Sequence, residues 1–253
     1  MEAYLSLSVP NTIWCAVVLF AASYIRGFSG FGFTAVLMTG LTLILPVTEI
    51  VPLSIALELA ASLGQSFTIM RHVDWRKLTI LLATGALCTP IGVYLLALLP
   101  DLALRNLVLI FIFGSSIYLI FSREHLRAFP LRAYALAGSA IGIVNGATAL
   151  SGLVLALFFS FTDESPAKMR ATMIAFLFLA DFWAGGILLA SGFYESVTIH
   201  RVLFSLPLLG LGVWLGSIHF ASVGSDTFRA AILWLLLLLS VLGIVLVIAA
   251  QFA

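Results

Sequence analysis

The charged residues of this chain punctuate apolar runs too long for anything but helices that cross a membrane or pack inside one. Broken at its charges, the sequence leaves runs at residues 3–25, 27–48, 50–70, 78–100, 106–122, 133–162, 171–194, 202–225 and 230–253. A helix needs roughly 20 mainly apolar residues to cross a bilayer core, whereas buried strands are shorter and barrel strands alternate in polarity. Only 9% of the 253 residues are charged, against about a quarter in soluble domains, so the chain lacks the polar surface that water demands. The expected fold is all-α: a polytopic integral membrane protein forming a single transmembrane domain over residues 1–253. Nearly every residue belongs to a pass or a short turn, which leaves no room for a soluble catalytic module.

The same scarcity of charge narrows the partners. A net charge of +1 with no basic tract argues against nucleic acid, whose binding rests on clustered Lys and Arg. Cys15 and Cys88 both fall inside apolar runs and supply neither a structural disulfide nor a zinc ligand set, so no metal and no cofactor is implied. The start Met1-Glu2-Ala3-Tyr4 lacks the positive region that precedes a signal core, and the first apolar segment is expected to stay.

Spacing points to a duplication. An offset of 124 places Val73 on Val197, Gly92 on Gly216, Arg105 on Arg229 and Ser116 on Ser240, while an offset of 116 places Ser29 and Gly30 on Asn145 and Gly146. The run 133–162 would be about 45 Å of helix, too long for one pass and too short for two. It reads as two shorter helices meeting near Asn145 and Gly146. Two repeats follow, about 3–122 and 131–253, each of five helical segments and each opening on a Gly-rich broken or re-entrant pair. An odd number of segments inverts one repeat against the other. Placing Arg71, Arg76 and Lys77 in the cytoplasm puts Arg123, Arg127, Arg132, Lys168, Arg170 and Arg229 there as well, and leaves Arg105 and Arg201 outside. That bias satisfies the positive-inside rule; it sets Ala128 inward, Asp101 and Glu195 outward, and the protein in the inner (cytoplasmic) membrane.

Few side chains can carry chemistry. The stretch Arg26-Gly27-Phe28-Ser29-Gly30-Phe31-Gly32-Phe33 allows a sharp turn, and a helix starting after it aims unsatisfied N–H groups into the turn, an anion site if it lies at membrane depth. Arg26 adds a fixed charge and a planar fork of donors; the alternative is an ordinary cytoplasmic loop residue. Substrate contacts are therefore expected from Arg26, Ser29, Gly30 and Gly32 in the first half and from Asn145, Gly146 and Ser151 in the second. The regular spacing of Gly138, Gly142 and Gly146 also suits close helix packing. Glu58 and Asp181 lie mid-run in corresponding passes; intramembrane carboxyls are costly and functional by default, so both are expected to couple transport to protons. Gln65 reads as a packing residue, and His72, His125 and His200 as solvated turn residues. His219 reads as an interhelical hydrogen bonder or, with Ser151, the loose candidate for an intramembrane protease. Pro90 and Pro207 are expected to kink their passes.

The Gly-rich GFSGFGF at 27–33, Pro46, the basic turn VDWRKL at 73–78 and AKMRAT at 167–172 together resemble the TauE/SafE sulfite-exporter family of membrane permeases. The resemblance runs over nearly the whole chain as an order of features. It implies a multi-pass carrier, not an enzyme, for small sulfur-containing anions such as sulfite, sulfoacetate or related sulfonates. Where many members carry a Gly-Gly run followed by proline, this chain has NGATALSG at 145–152, which loosens the inference to substrate. The expectation is a proton-coupled secondary transporter of such anions, its partners the anion, protons and membrane lipid, with a homodimer left open. The rival readings are a cation/proton antiporter centred on Glu58 and Asp181, a membrane-embedded enzyme, and a non-transporting assembly factor.

Overall fold

The computed structural model describes residues 7–42, 44–66, 73–121, 129–162 and 166–220, with the helical residues Trp234, Leu237, Val241 and Val245 beyond them. Within these bounds the apolar runs are helices: α1 (Val9–Ser29), α2 (Phe33–Leu41), α3 (Val47–Ser66), α4 (Trp75–Leu98), α5 (Asp101–Phe121), α6 (Leu131–Thr148), α7 (Ser151–Phe159), α8 (Pro166–Ala190) and α9 (Ser196–Phe220). Five of the described helices, α1, α4, α5, α8 and α9, contain stretches long and apolar enough to cross a membrane. Leu87, Ile91, Tyr94 and Leu98 on α4, and Leu211, Trp214 and Ile218 on α9, are exposed at helical spacing. Such apolar outer faces belong in hydrocarbon rather than water. The chain is a multi-pass, all-helical membrane protein.

What holds the bundle is backbone against backbone. The most extensive helix contacts are α4 with α6 and α1 with α9, and glycine makes both. A Cβ on Gly92 would stand 2.1 Å from the Ile143 carbonyl oxygen, and one on Gly146 2.4 Å from that of Thr89. In the other pair, a Cβ on Gly216 would stand 2.1 Å from the Tyr24 oxygen, and one on Gly27 2.2 Å from that of Val213. Without a hydrophobic drive between helices in lipid, such close approach is a principal source of association.

Both short helices follow a break. α1 ends at Ser29, Gly30 (φ 79°) caps it in the left-handed region, Gly32 (φ 87°) repeats that conformation, and α2 starts at Phe33. The second break corrects the sequence reading. Asn145 and Gly146 lie within α6, and the chain leaves the helix only at Ala149 (φ 56°) and Leu150, before α7. Gly138, Gly142 and Gly146 are spent on packing against α4, so an alanine takes the left-handed cap that glycine was expected to supply. At nine residues each, α2 and α7 are about 13 Å long and cannot span a bilayer core. The prolines Pro90 and Pro207 do lie inside α4 and α9, and Pro52 inside α3.

The remaining charges sort to the two ends of α4, a 24-residue helix about 36 Å long. At its start, Asp74 caps the helix by accepting from the Lys77 N–H and pairs with Lys168 of α8 at 3.0 Å. Partial burial pushes the Asp74 carboxyl up, but the Lys168 hydrogen bond, the Lys77 amide and both lysine charges outweigh it and leave it below its usual value. That contribution to stability is present above the ordinary aspartate range and is lost as pH falls through the depressed value. At the other end, Asp101 accepts from the Val47 N–H at 2.7 Å and pairs with Arg105, while Arg201 of α9 pairs with Glu49 of α3. Arg71, His72, the 122–128 turn with Arg123, His125, Arg127 and Ala128, and Arg229 lie outside the described residues.

Glycine at these crossings is expected to be irreplaceable. Gly142→Val drives a side chain into the Gly85 backbone, 2.1 Å from its carbonyl oxygen, and should lower stability by about 1–3 kcal/mol or more. Gly114→Ala on α5, where a Cβ meets nothing within 4 Å, should be neutral or stabilising by up to about 1 kcal/mol. Thermal unfolding of both variants in detergent separates the two cases.

Candidate functional site

Three ionisable side chains buried in the bundle, Arg26, Glu58 and Asp181, converge on one place. α3 crosses α8 where Gly185 faces Ile55, and one turn further along each helix the Glu58 and Asp181 carboxyls face one another. Glu58 is 1% exposed, Asp181 0% and Arg26 0%, so three ionisable groups share a site that water barely reaches. Arg26 is no loop residue. It occupies the last turn of α1 and acts electrostatically on both carboxyls. Its Nη1 donates to the Gly30 carbonyl and its Nη2 to Ser62 Oγ at 2.7 Å, while Nε has no partner.

The first break wraps this cluster. The Ser29 hydroxyl has the Ile25 and Phe31 carbonyls as alternative acceptors for its one proton and accepts from the Phe31 N–H, so it stabilises the turn. Gly30 and Gly32 supply the left-handed geometry that a side chain would strain. Thr34, in the first turn of α2, lies beside Glu58, although neither its hydroxyl nor Glu58 Oε2 completes a well-aligned hydrogen bond. α2 has no side-chain cap, so its open N–H groups and partial positive charge sit at this end of the cluster.

The second break contributes from the opposite side. Asn145 Nδ2 donates to Asp181 Oδ1 at 3.3 Å, leaving Asn145 Oδ1 and Asp181 Oδ2 without partners. Ser151 opens α7, fully buried, with its hydroxyl unpartnered and no side chain capping the helix. The two breaks meet: a Cβ on Gly152 would touch Phe31 Cβ at 3.7 Å. Of the residues expected at the site, Arg26, Gly30, Gly32, Asn145, Ser151, Glu58 and Asp181 are gathered here. Ser29 is committed to its turn, and Gly146 faces the α4 backbone.

One participant escaped the sequence reading. Tyr194, in the turn before α9, brings its hydroxyl over Gly185, one turn from Asp181. Burial, then the negative charge of Asp181, pushes it up to about 12, so it remains a proton-bearing donor throughout the physiological range. A tyrosine closing an apolar run gives no hint of this in sequence. His219 accounts for itself otherwise: its Nδ1 is hydrogen-bonded to the Tyr24 hydroxyl and its ring meets Phe28 edge-on. It is therefore engaged with α1 rather than with Ser151. The Gln65 side chain lies outside the described residues, and His200 is half-buried, its Nδ1 2.6 Å from the Ser196 carbonyl oxygen. Among the described residues no group of His, Cys, Asp and Glu could hold a metal ion.

Arg26→Gln would leave Glu58 and Asp181 facing each other without a cation, and unmaking a buried charged set costs about 3–5 kcal/mol. Adding Glu58→Gln should restore a large part of that loss. Unfolding of the single and double variants in detergent checks the coupling; strictly additive losses would mean that the two side chains do not interact.

The family model described as sulfite exporter TauE/SafE matches residues 15–243, which takes in both breaks and every residue of the cluster. No curated protein and no solved structure matches the chain.

Proposed function

Because the chain belongs to the sulfite exporter TauE/SafE family, and so to a family of membrane anion exporters, we propose that it moves small sulfur-containing anions such as sulfite, sulfoacetate or related sulfonates across the cytoplasmic membrane, coupled to protons at Glu58 and Asp181. One observation carries the coupling: a single fixed cation, Arg26, shares a buried site with two carboxyls. With both carboxyls ionised the cluster is net negative and repels an anion. One proton makes it neutral, and two make it positive. An incoming monoanion is thus charge-compensated only when protons enter with it, since an uncompensated charge in a low-dielectric interior is costly. Anion and proton promote each other's binding, and the net direction of transport follows the two gradients.

Arg26, Asn145 and Ser151, with Gly30 and Gly32 and the open N–H groups of α2 and α7, form the anion site in this reading. Gly146 contributes by letting α6 approach α4 rather than by touching substrate, and Ser29 by fixing the turn. Arg26 also argues against a cation/proton antiporter, because a permanent positive charge opposes a cation at these carboxyls.

The reading includes two inverted repeats, and paired contacts support it. Gly30 N–H donates to the Arg26 carbonyl, and Ala149 N–H donates to that of Asn145, so Arg26 and Asn145 hold the same place relative to their caps. From there one offset of 119 along α1 and α6, with 124 along α4 and α9, carries two of the glycine contacts onto counterparts: Gly27 on Val213 onto Gly146 on Thr89, and Gly216 on Tyr24 onto Gly92 on Ile143. This offset replaces the 116 read from the sequence. Inversion then allows the two halves to rock about the cluster and expose it alternately.

Proteoliposomes loaded with a pH dye test the mechanism. Sulfite or sulfoacetate flux should carry protons with it, and Glu58→Gln and Asp181→Asn should retain downhill anion exchange while losing its response to an imposed pH gradient. Arg26→Lys keeps the charge but loses the fork, and should weaken anion affinity roughly 10-fold or more. Unchanged pH dependence in both carboxyl variants would sink the coupling.

A further inference from the structure

At the end of the bundle that carries Glu49 and Asp101, α1, α2, α3 and α9 line a partly open cavity of about 260 Å³. Its walls are mainly aliphatic, with Leu19, Leu37, Leu53 and Leu57 among them, and Arg201 is the one charged residue of its described lining, beside Ser205 on the same helix. No residue of the Arg26 cluster lines it. We propose that this cavity is a second anion site, built for a single-chain amphiphilic monoanion such as an alkyl sulfonate or a medium-chain carboxylate, with its head group on Arg201 and its tail among the leucines.

The shape sets the ligand class. The volume is that of roughly eight or nine water-sized groups, enough for one short alkyl tail and too little for the paired chains of a phospholipid. A bare inorganic oxyanion would find one guanidinium and the hydroxyl residues Thr12 and Ser205 in a wall otherwise largely apolar, and would leave the leucines without a partner. A neutral hydrocarbon would offer Arg201 nothing in place of the Glu49 carboxylate. An amphiphile with a flat or trigonal oxyanion head matches both halves of the wall.

Arg201 is engaged by Glu49, and the two side chains are unequally placed: that of Arg201 is 8% exposed, that of Glu49 42%. The carboxylate can turn out to water while the guanidinium stays. A ligand head group therefore replaces one oxyanion by another, with little change in the surroundings of Arg201. Glu49 is in this sense a resident competitor. The inference does not depend on the small-anion reading, since it concerns a different site and is tested without flux.

Cys15 reports on the site, because it lines the cavity half-buried. With Cys88→Ala, Cys15 is the sole thiol of the chain, and its modification by a maleimide can be timed in lipid nanodiscs. Octane-1-sulfonate should slow the reaction at least 10-fold, saturably, whereas octanol and sulfite should leave it unchanged. Glu49→Gln should lower the octanesulfonate concentration needed several-fold by removing the competitor, and Arg201→Gln should abolish protection while Cys15 still reacts. Arg26→Lys should leave protection intact, which separates this site from the central one. Equal protection by octanol would mean a plain apolar pocket open to any chain, lipid tails included, and would overturn the proposal. So would a reaction rate that octanesulfonate does not change, or protection that neither Glu49→Gln nor Arg201→Gln alters.

Discussion

A guanidinium that water does not touch governs the interior of this protein. Arg26 cannot shed its charge as a carboxylic acid can, so every element around it has to accommodate a permanent cation. The Gly30 carbonyl and Ser62 each take one of its nitrogens, and Glu58 and Asp181 answer its charge. The breaks at Gly30 and Ala149 then follow a common logic. A continuous helix would satisfy its own backbone and offer nothing to a buried ion, whereas a helix that stops and restarts presents carbonyls on one side and N–H groups on the other.

Much of this was legible from residues alone, because the relevant signals are local or compositional. Apolar runs between charges become helices, Gly30 and Gly32 become a turn, and Glu58 and Asp181 stand out as carboxyls where hydrocarbon should be. The second break was read several residues early for an understandable reason. A glycine in sequence signals either freedom to turn or absence of bulk, and only the partner helix decides which. At Gly146 the decision belongs to the Thr89 carbonyl on α4, some 57 residues away in the chain. Ala149, which does turn, is an alanine among helix formers and gives no warning. Tyr194 and Ser62 were silent likewise, since their significance comes from what stands opposite them.

The two breaks are alike in backbone and unlike in charge. Where α1 brings a guanidinium, α6 brings the amide of Asn145, which donates to Asp181 from the corresponding place before its cap. An amide can be both donor and acceptor, and one of its two faces is unspent here. The cluster is therefore electrostatically lopsided, its positive side formed by the first half and its adaptable side by the second. The same division of labour appears at the turns: two glycines relax the first, whereas the second holds an alanine in a conformation that L-residues rarely adopt.

The burial of Arg26 also bears on how such a chain enters a membrane as it is made. α1 by itself would place an arginine near its inner end with no neighbour to receive it, at a cost of up to about 3 kcal/mol on insertion scales. The groups that answer this charge, Ser62 and Glu58, lie on α3 and emerge from the ribosome some 30 to 40 residues later. α2 is too short to be taken for a span of its own. Docking of α1 against α3 removes that cost, so the stretch from α1 to α3 gains more by entering the membrane as one unit than as successive independent passes.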